Sequence, residues 1–415
     1  MTKRFAHHRE TLQKLTFASR FRTQLSTIRM TQLSLGSGAA IPHRYLTRHI
    51  GIFGATGTGK TTTLGAIAER APCPVLILDA KGDLESLGAS LLRPAMRIDA
   101  MGADLIARAL DLSDAQAGAL QIALAWAEDS RRAVATLADL RDLLNSALQH
   151  DLSRDYGLIS PISVAAVQRA LLRLERGAPW AFQDSRHDPR DTKGITVYAA
   201  SELTHLPGLY GAFVAHTLDT LYRGLGEVGD VPAPGLLVMI DEAHLVFDGA
   251  TPSIVRRIEQ ITRLIRSKGV GLIYVTQSPS DLPHIIAGQL ATRIQHALRA
   301  STPHHHKALK SAAETMPGNI SPATILGLGT GQAIVSVPDH NGAPLAGRVV
   351  AVQRGRLPLH SVGLPPATVI RQARRETTCQ PAPFRPPDKK ARPWWYWPAI
   401  VAAAIYGPMI LLAIF

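Results

Sequence analysis

Cysteine is nearly absent from this 415-residue chain: Cys73 and Cys379 are the whole complement. Two such residues, with no histidine at ligand spacing, exclude a disulfide framework and a cysteine-built metal site, and they fit a reducing compartment. Charged side chains are also sparse, at 19% of residues against 46% hydrophobic. That is below the roughly 25% charged of an average globular protein, so there is material for a sizeable core and wholesale disorder is excluded. The 33 glycines and 28 prolines are too few for a collagen-like or low-complexity chain, and no fixed-period repeat is visible. The opening MTKRFAHHRE is charged and no apolar stretch follows it, so it does not read as a secretory signal. The length suits two or three domains at roughly 150 residues each.

What is present in excess is positive charge, +13 overall. A basic balance invites a nucleic-acid reading, but its distribution decides what it means. Residues up to Arg48 carry a local +8, the residues from Ala351 onward carry +7, and the middle is close to neutral at −2. The excess sits on two tails.

The second tail ends in WWYWPAIVAAAIYGPMILLAIF, Trp394 to Phe415, without a single charge. A helix of that length spans roughly 33 Å, enough for a bilayer core. Trp394, Trp395, Tyr396 and Trp397 form an aromatic belt, and Arg385, Lys389, Lys390 and Arg392 flank it, which places the bulk of the protein on the cytoplasmic side of the inner membrane. Pro408 is tolerated in such a span. The Pro-rich basic stretch within residues 353–393 reads as an extended linker. The expected organisation is therefore a basic N-terminal segment over 1–47, an α/β domain over 48–352, the linker, and a transmembrane anchor over 394–415.

Within 48–352 strand and helix patterns alternate. RHIGIF (Arg48 to Phe53), VLIL (Val75 to Leu78), ITVYAA (Ile195 to Ala200), LLVMI (Leu236 to Ile240), LIYVT (Leu272 to Thr276), Ile294 to Leu298, Ala333 to Val337 and Val349 to Val352 read as strands. Helices are expected at Lys60 to Arg70, Leu209 to Tyr222 and Ile254 to Ser267, with a helical insertion over about 103–180. Alternating elements with continuously apolar strands predict a parallel sheet covered on both faces.

The sharpest motif is Gly54-Ala55-Thr56-Gly57-Thr58-Gly59-Lys60-Thr61, a complete G-x-x-x-x-G-K-T between a strand and a helix. Its glycines let successive amides and the helix N-terminus face phosphates. Lys60 would bridge the β- and γ-phosphates of ATP, and the Thr61 hydroxyl would ligate Mg²⁺. LLVMIDEAH supplies the second half: Asp241 to hold Mg²⁺ and Glu242 to polarise the attacking water. Gln277, after LIYVT, is placed to sense the γ-phosphate, with a simple turn-forming role as the alternative. Asp79 supports the Mg²⁺ site from behind or caps Lys81-Gly82-Asp83; both readings stay open. His304-His305-His306 cannot all face one ion from a helix and reads as a solvated helix start.

Together GATGTGKT, DAKGDL, the Asp-Glu-Ala-His-Leu run, RLIRSKGVGLIYVTQSPSDLP and GQLATRIQHALRA resemble the HerA-like helicase C-terminal family, within the HerA/FtsK group of ring-forming, DNA-pumping P-loop ATPases. The resemblance runs from about Arg44 to Val352. It implies a RecA-like P-loop fold, ATP and Mg²⁺ as cofactors, and a homo-oligomeric, hexameric ring with ATP between neighbours. It also implies that an arginine from the adjacent subunit completes the site. Arg266 in IRSKGVG matches that arginine best, Arg263 is second choice and Lys268 a weaker one. The expected function is a membrane-tethered oligomeric ATPase that moves double-stranded DNA in a translocase or helicase-like manner. The alternatives are a coupling ATPase of a DNA or protein secretion system and an ATP-gated membrane scaffold; Glu242 argues against the scaffold because a scaffold needs no catalytic acid.

Overall fold

The computed structural model describes residues 32–357 and 359, except 37, 184–186 and 207. The basic residues before Gln32, most of the Pro-rich linker and the expected anchor Trp394 to Phe415 lie outside the described residues. Among the described residues no helix is long and apolar enough to cross a membrane.

The frame is a nine-stranded sheet in the order β11-β10-β9-β3-β8-β7-β4-β6-β5. Its strands are β3 (Ile50–Phe53), β4 (Val75–Asp79), β5 (Ser90–Leu92), β6 (Ile195–Ala199), β7 (Leu236–Ile240), β8 (Val270–Thr276), β9 (Thr292–His296), β10 (Gln332–Ser336) and β11 (Arg348–Ala351). From β9 through β5 all neighbours pair in parallel. The expectation of a parallel sheet needs correction at one edge: β10 runs antiparallel to β9, and β11 antiparallel to β10. Apolar runs report burial on two faces but carry no information on strand direction, so this edge could not be read from the pattern.

The central strands are buried on both sides, and alternate residues feed different cores. Leu237, Met239, Ile273 and Val275 pack on one face with Leu64 and Ile67 of helix α1 (Lys60–Arg70). Val238, Ile240, Leu272 and Tyr274 pack on the other with the longer helices. Full burial of each such aliphatic side chain stabilises by about 1.5–3 kcal/mol.

Between β5 and β6 lies the helical insertion: α2 (Ala103–Leu110), α3 (Asp114–Asp129), α4 (Leu137–Gln149) and α5 (Pro161–Gly177). Helix α4 starts in a capping box, with Asp139 N–H donating to Thr136 Oγ1 at 3.2 Å and Thr136 N–H donating to Asp139 at 2.9 Å. The insertion packs into the core that helix α6 (Leu209–Gly224) shares, and Arg108 adds a polar tie. Its buried guanidinium donates to the carbonyls of Gly208 (3.3 Å), Val246 (2.7 Å) and Asp248 (3.1 Å). Helix α6 makes room for it, since a Cβ on Gly211 would meet that guanidinium.

Three features differ from the sequence pattern. A hairpin of β1 (Gln32–Gly36) and β2 (Ala39–Pro42) falls within the stretch read as a basic segment, and it buries Leu33, Leu35 and Ile41 beside α1. The expected strand at Arg48 begins only at Ile50; a 3₁₀ turn, His43–Arg48, precedes it. Helix α7 (Pro252–Leu264) likewise ends earlier than expected and passes into a 3₁₀ turn, Ile265–Lys268, closed by Gly269 at φ 72°.

Candidate nucleotide site at the carboxyl edge of the sheet

The parallel strands β3, β4, β7 and β8 deliver their C-terminal residues to one edge, where open α/β sheets place ligands. The loop Gly54–Thr61 leaves β3 and opens α1. It is stapled in place by its backbone: Gly54 N–H donates to Gln277 O at 3.0 Å, Ala55 N–H to Ala297 O at 2.9 Å, and Gly331 N–H to Thr58 O at 3.0 Å. Gly59 is the N-cap of α1 at φ 115°, a backbone that side chains rarely adopt, and a Cβ there would press on Gly331. Gly54 is required for packing, because its Cβ would meet His296 at 2.6 Å. Among the described residues, the amides of Thr56, Gly57, Gly59, Lys60 and Thr61 have no backbone acceptor. Free amides at a helix N-terminus make a cradle for an anion.

Lys60 is buried, and its ammonium donates to the Gly54 and Ala55 carbonyls at 2.6 and 3.2 Å. Burial pushes its pKa down; the charges of Glu242, Asp241 and Asp281 oppose that, and Lys81 adds to it. These groups therefore share one electrostatic site. Thr61 follows Lys60 in the first turn of α1 and is partly exposed.

Asp241 and Glu242 both lie at the end of β7 and are buried. Burial, with repulsion from Glu242 and Asp79, drives Asp241 up to about 7. A carboxyl crowded by like charges is a natural partner for a divalent cation, so the residues present fit Mg²⁺. Tyr210 Oη fixes the strand ends by donating to Asp241 O (2.7 Å) and Leu78 O (3.1 Å). Glu242 stands at φ 45°, a left-handed conformation that costs a non-glycine residue about 1–3 kcal/mol. Its oxygens meet two partners: Lys81 reaches Oε1, and His244 Nδ1 lies 3.2 Å from Oε2. Burial alone would push the Glu242 carboxyl up, but contacts and charge from His244 and Lys81 overcome it and hold it at about 2. In return the Glu242 contact raises the pKa of His244.

Asp79 has a definite local role. Its carboxylate accepts from the amides of Lys81 (3.1 Å), Gly82 (2.8 Å) and Leu84 (2.8 Å), which is the turn-capping alternative. Gln277 has an exposed side chain, while its carbonyl holds Gly54. Asp281 braces that turn, accepting from Thr276 Oγ1 at 2.9 Å and Ser278 N–H at 2.8 Å. Behind the loop, buried His296 lies 2.9 Å from Thr63 Oγ1 and 2.9 Å from Gln332 O.

Arg266 is elsewhere. It lies in the turn that enters β8, at the opposite edge of the sheet, exposed and 3.6 Å from Asp230. From there it does not join its own chain's site. Arg263 is also exposed, one turn earlier on α7. Lys268 is buried and committed: its ammonium donates to Leu225 O at 2.7 Å, lies 3.2 Å from Glu227, and stacks over Tyr222. The histidine run begins helix α8 (Pro303–Thr315), whose N-cap Thr302 accepts from His305 N–H, and among the described residues no cluster of metal-binding side chains occurs.

Lys81, His244, Asp281, Tyr210 and His296 were not singled out in the sequence as site residues. Lys81 lies in DAKGDL and His244 two residues after Glu242, and their polarity right after buried strands was the only signal available.

A β-strand, a phosphate-type loop and an acidic pair on one sheet edge define a P-loop NTPase domain. The chain matches the family Helicase HerA-like C-terminal over residues 28–94 and 92–365, and it belongs to that family. No curated protein sequence matches the chain. Among solved structures it is similar to the bacterial conjugative coupling protein TrwBdeltaN70 (14% identity, 82% of this chain and 92% of that one, TM-score 0.58). It is also similar to VirB4 of Thermoanaerobacter pseudethanolicus (16% identity, 79% and 96%, TM-score 0.54). A further TrwB structure, at 16% identity over 80% of this chain and 92% of that one with TM-score 0.58, is a complex with ADP and Mg²⁺. At these identities the likeness establishes the fold.

Proposed function

We propose that this protein is a Mg²⁺-dependent ATP hydrolase that works as a homo-oligomeric, hexameric ring. We further propose that it is tethered to the inner membrane by Trp394 to Phe415 and moves double-stranded DNA. One observation carries the enzymatic part: a cradle of free amides, Lys60 and the Asp241–Glu242 pair converge on one edge of the sheet. The free amides and Lys60 bind and orient the phosphates. Thr61 and Asp241 would hold Mg²⁺, which when bound supplies charge neutralisation at the phosphates. Glu242 accepts the proton of the attacking water, and the buried wall of β7 and β8 keeps bulk water from its carboxylate. Gln277 lies next to the loop on its exposed side, where its amide positions the terminal phosphate. Arg266, remote from its own site and exposed, acts on the neighbouring subunit's nucleotide.

The near-neutral charge of residues 49–350 and the basic tails favour a second cargo reading, in which the ring serves as a coupling ATPase that hands DNA or protein to a secretion channel. The fold shared with TrwB and VirB4 supports it. The test is the ATPase rate of the full chain with and without double-stranded DNA across a salt series. DNA stimulation that falls steeply with salt supports DNA as cargo, because phosphate contacts release counterions. A flat, DNA-independent rate favours the coupling reading. Separately, deleting residues 393–415 should release the protein from carbonate-washed membranes; an unchanged distribution sinks the anchor.

A further inference from the structure

In the arrangement described above Glu242 is a weakened base, because Lys81 rests on Oε1 and His244 Nδ1 lies 3.2 Å from Oε2. Withdrawing one of these partners restores basicity to the carboxylate, and the two are not equivalent. His244 lies on the same turn as Glu242, two residues away, and its Nδ1 also lies 3.5 Å from Thr276 Oγ1. Lys81 comes from a different strand end, and its side chain is 35% exposed against 6% for Glu242. Its backbone is anchored, since Asp79 holds the amides of Lys81 and Gly82, but its ammonium is a point charge on a flexible four-carbon stem. It also shares the site with Lys60, each lysine lying in the field of Glu242 and Asp241.

We propose that Lys81 is a triphosphate-sensing residue: its ammonium rests on Glu242 and moves to the terminal phosphate of a bound nucleoside triphosphate, freeing one oxygen of the base. A diphosphate offers no group at that position, so Lys81 stays on Glu242 and the base stays occupied. This rests on the reading of the edge as a nucleotide site and adds a residue that tells the substrate from the product. Lys81 thereby couples two events that must coincide, arrival of the γ-phosphate and release of the carboxylate that activates water. No proton transfer to or from Lys81 is involved.

Equilibrium binding of ATPγS and ADP, each with Mg²⁺, to the full chain tests this without relying on turnover. The wild type should bind both and prefer ATPγS. Lys81→Met should weaken ATPγS by about tenfold, the size of one charge-assisted contact, and leave ADP within about twofold. Lys81→Arg should keep most of the preference. Glu242→Gln removes the resting place of the ammonium and should tighten ATPγS several-fold, a gain that the double variant Lys81→Met/Glu242→Gln must lose. Equal loss of both nucleotides, or no loss of either, overturns the sensing role and leaves the nucleotide site standing. Failure of the wild type to bind either nucleotide overturns the site itself. Should Lys81→Met not fold, Lys81→Gln is judged by the same ratio of affinities.

Discussion

The two edges of the central sheet are built from the same strands yet handle polar groups in opposite ways. At the amino edge the buried His49 and Lys268 are both matched. His49 Nε2 lies 2.6 Å from Thr262 O, and its Nδ1 accepts from Leu272 N–H at 3.0 Å, a pattern that requires the neutral ring. Lys268 has a carbonyl, a carboxylate and an aromatic face. At the carboxyl edge amides go without backbone acceptors, Asp241 is driven up to about 7, and Glu242 sits in a left-handed conformation. The first arrangement stabilises the fold; the second leaves electrostatic and conformational energy that a bound anion and cation relieve. Substitutions at the two edges should therefore separate activity from stability.

The largest effect is expected at the carboxyl edge. Lys60→Ala should abolish hydrolysis, and Glu242→Gln should retain ATP binding while turnover falls by about 10²-fold or more. Thermal melting should shift by only a few degrees in both. Single-turnover hydrolysis beside nucleotide binding checks this, and wild-type turnover in Glu242→Gln would remove it from the role of base.

Arg266 belongs by position to the amino edge but by proposal to a neighbour's carboxyl edge, so it sharpens the comparison. An Arg266→Ala chain mixed with wild type should depress activity well below the wild-type fraction, since a trans arginine contributes about 10³-fold or more. Activity proportional to that fraction would show that Arg266 belongs to the amino edge alone.

A smaller effect, on stability, is expected from His49→Ala. It leaves Leu272 N–H and Thr262 O without their partner and opens a cavity, at a cost of about 2–4 kcal/mol. Chemical denaturation should show this loss while Mg²⁺-ATP affinity of the folded protein stays within about twofold. A matching loss of affinity would mean that the edges are not independent.

A probe that needs no substitution is pH. His49, His216 and His296 are held at about 4 by burial. Their folded values lie below the ordinary value of about 6.5, so the unfolded chain binds protons first as pH falls. The stability these rings contribute is thus full above about 6.5 and declines as pH drops toward 4, by up to about 1.4 kcal/mol per pH unit for each group, with Asp241 at about 7 opposing by one group's worth. Denaturation midpoints from pH 8 to 4.5 measure it; a flat profile would show that these rings are not neutral by burial.

Much of the site was legible because its central part is contiguous. Eight residues from Gly54 to Thr61 state a local backbone geometry, and an acidic pair after LLVMI states a strand end. Lys81 was not legible. It meets Glu242 only because β4 lies beside β7, although the two strands are separated by the whole helical insertion. The hairpin β1–β2 carries its own signal, with Leu33, Leu35 and Ile41 on either side of a Gly-Ser-Gly run, but it is short beside the basic residues that precede it. Residues 394–415, whose pattern is the clearest in the second tail, lie outside the described structure, and the anchor stands on sequence alone.

By itself the sequence determined the phosphate loop, the acidic strand end, the alternation of elements and the helical insertion. Each is written in neighbouring residues through glycine backbone freedom and hydrophobic period. Only the tertiary structure decided which strands adjoin, which of them reverse direction, that Asp79 caps a turn, that Arg266 faces away from its own site, and that Lys81 restrains Glu242. Those facts depend on strand order and register, which are set by how distant segments share a core, and no local pattern records them.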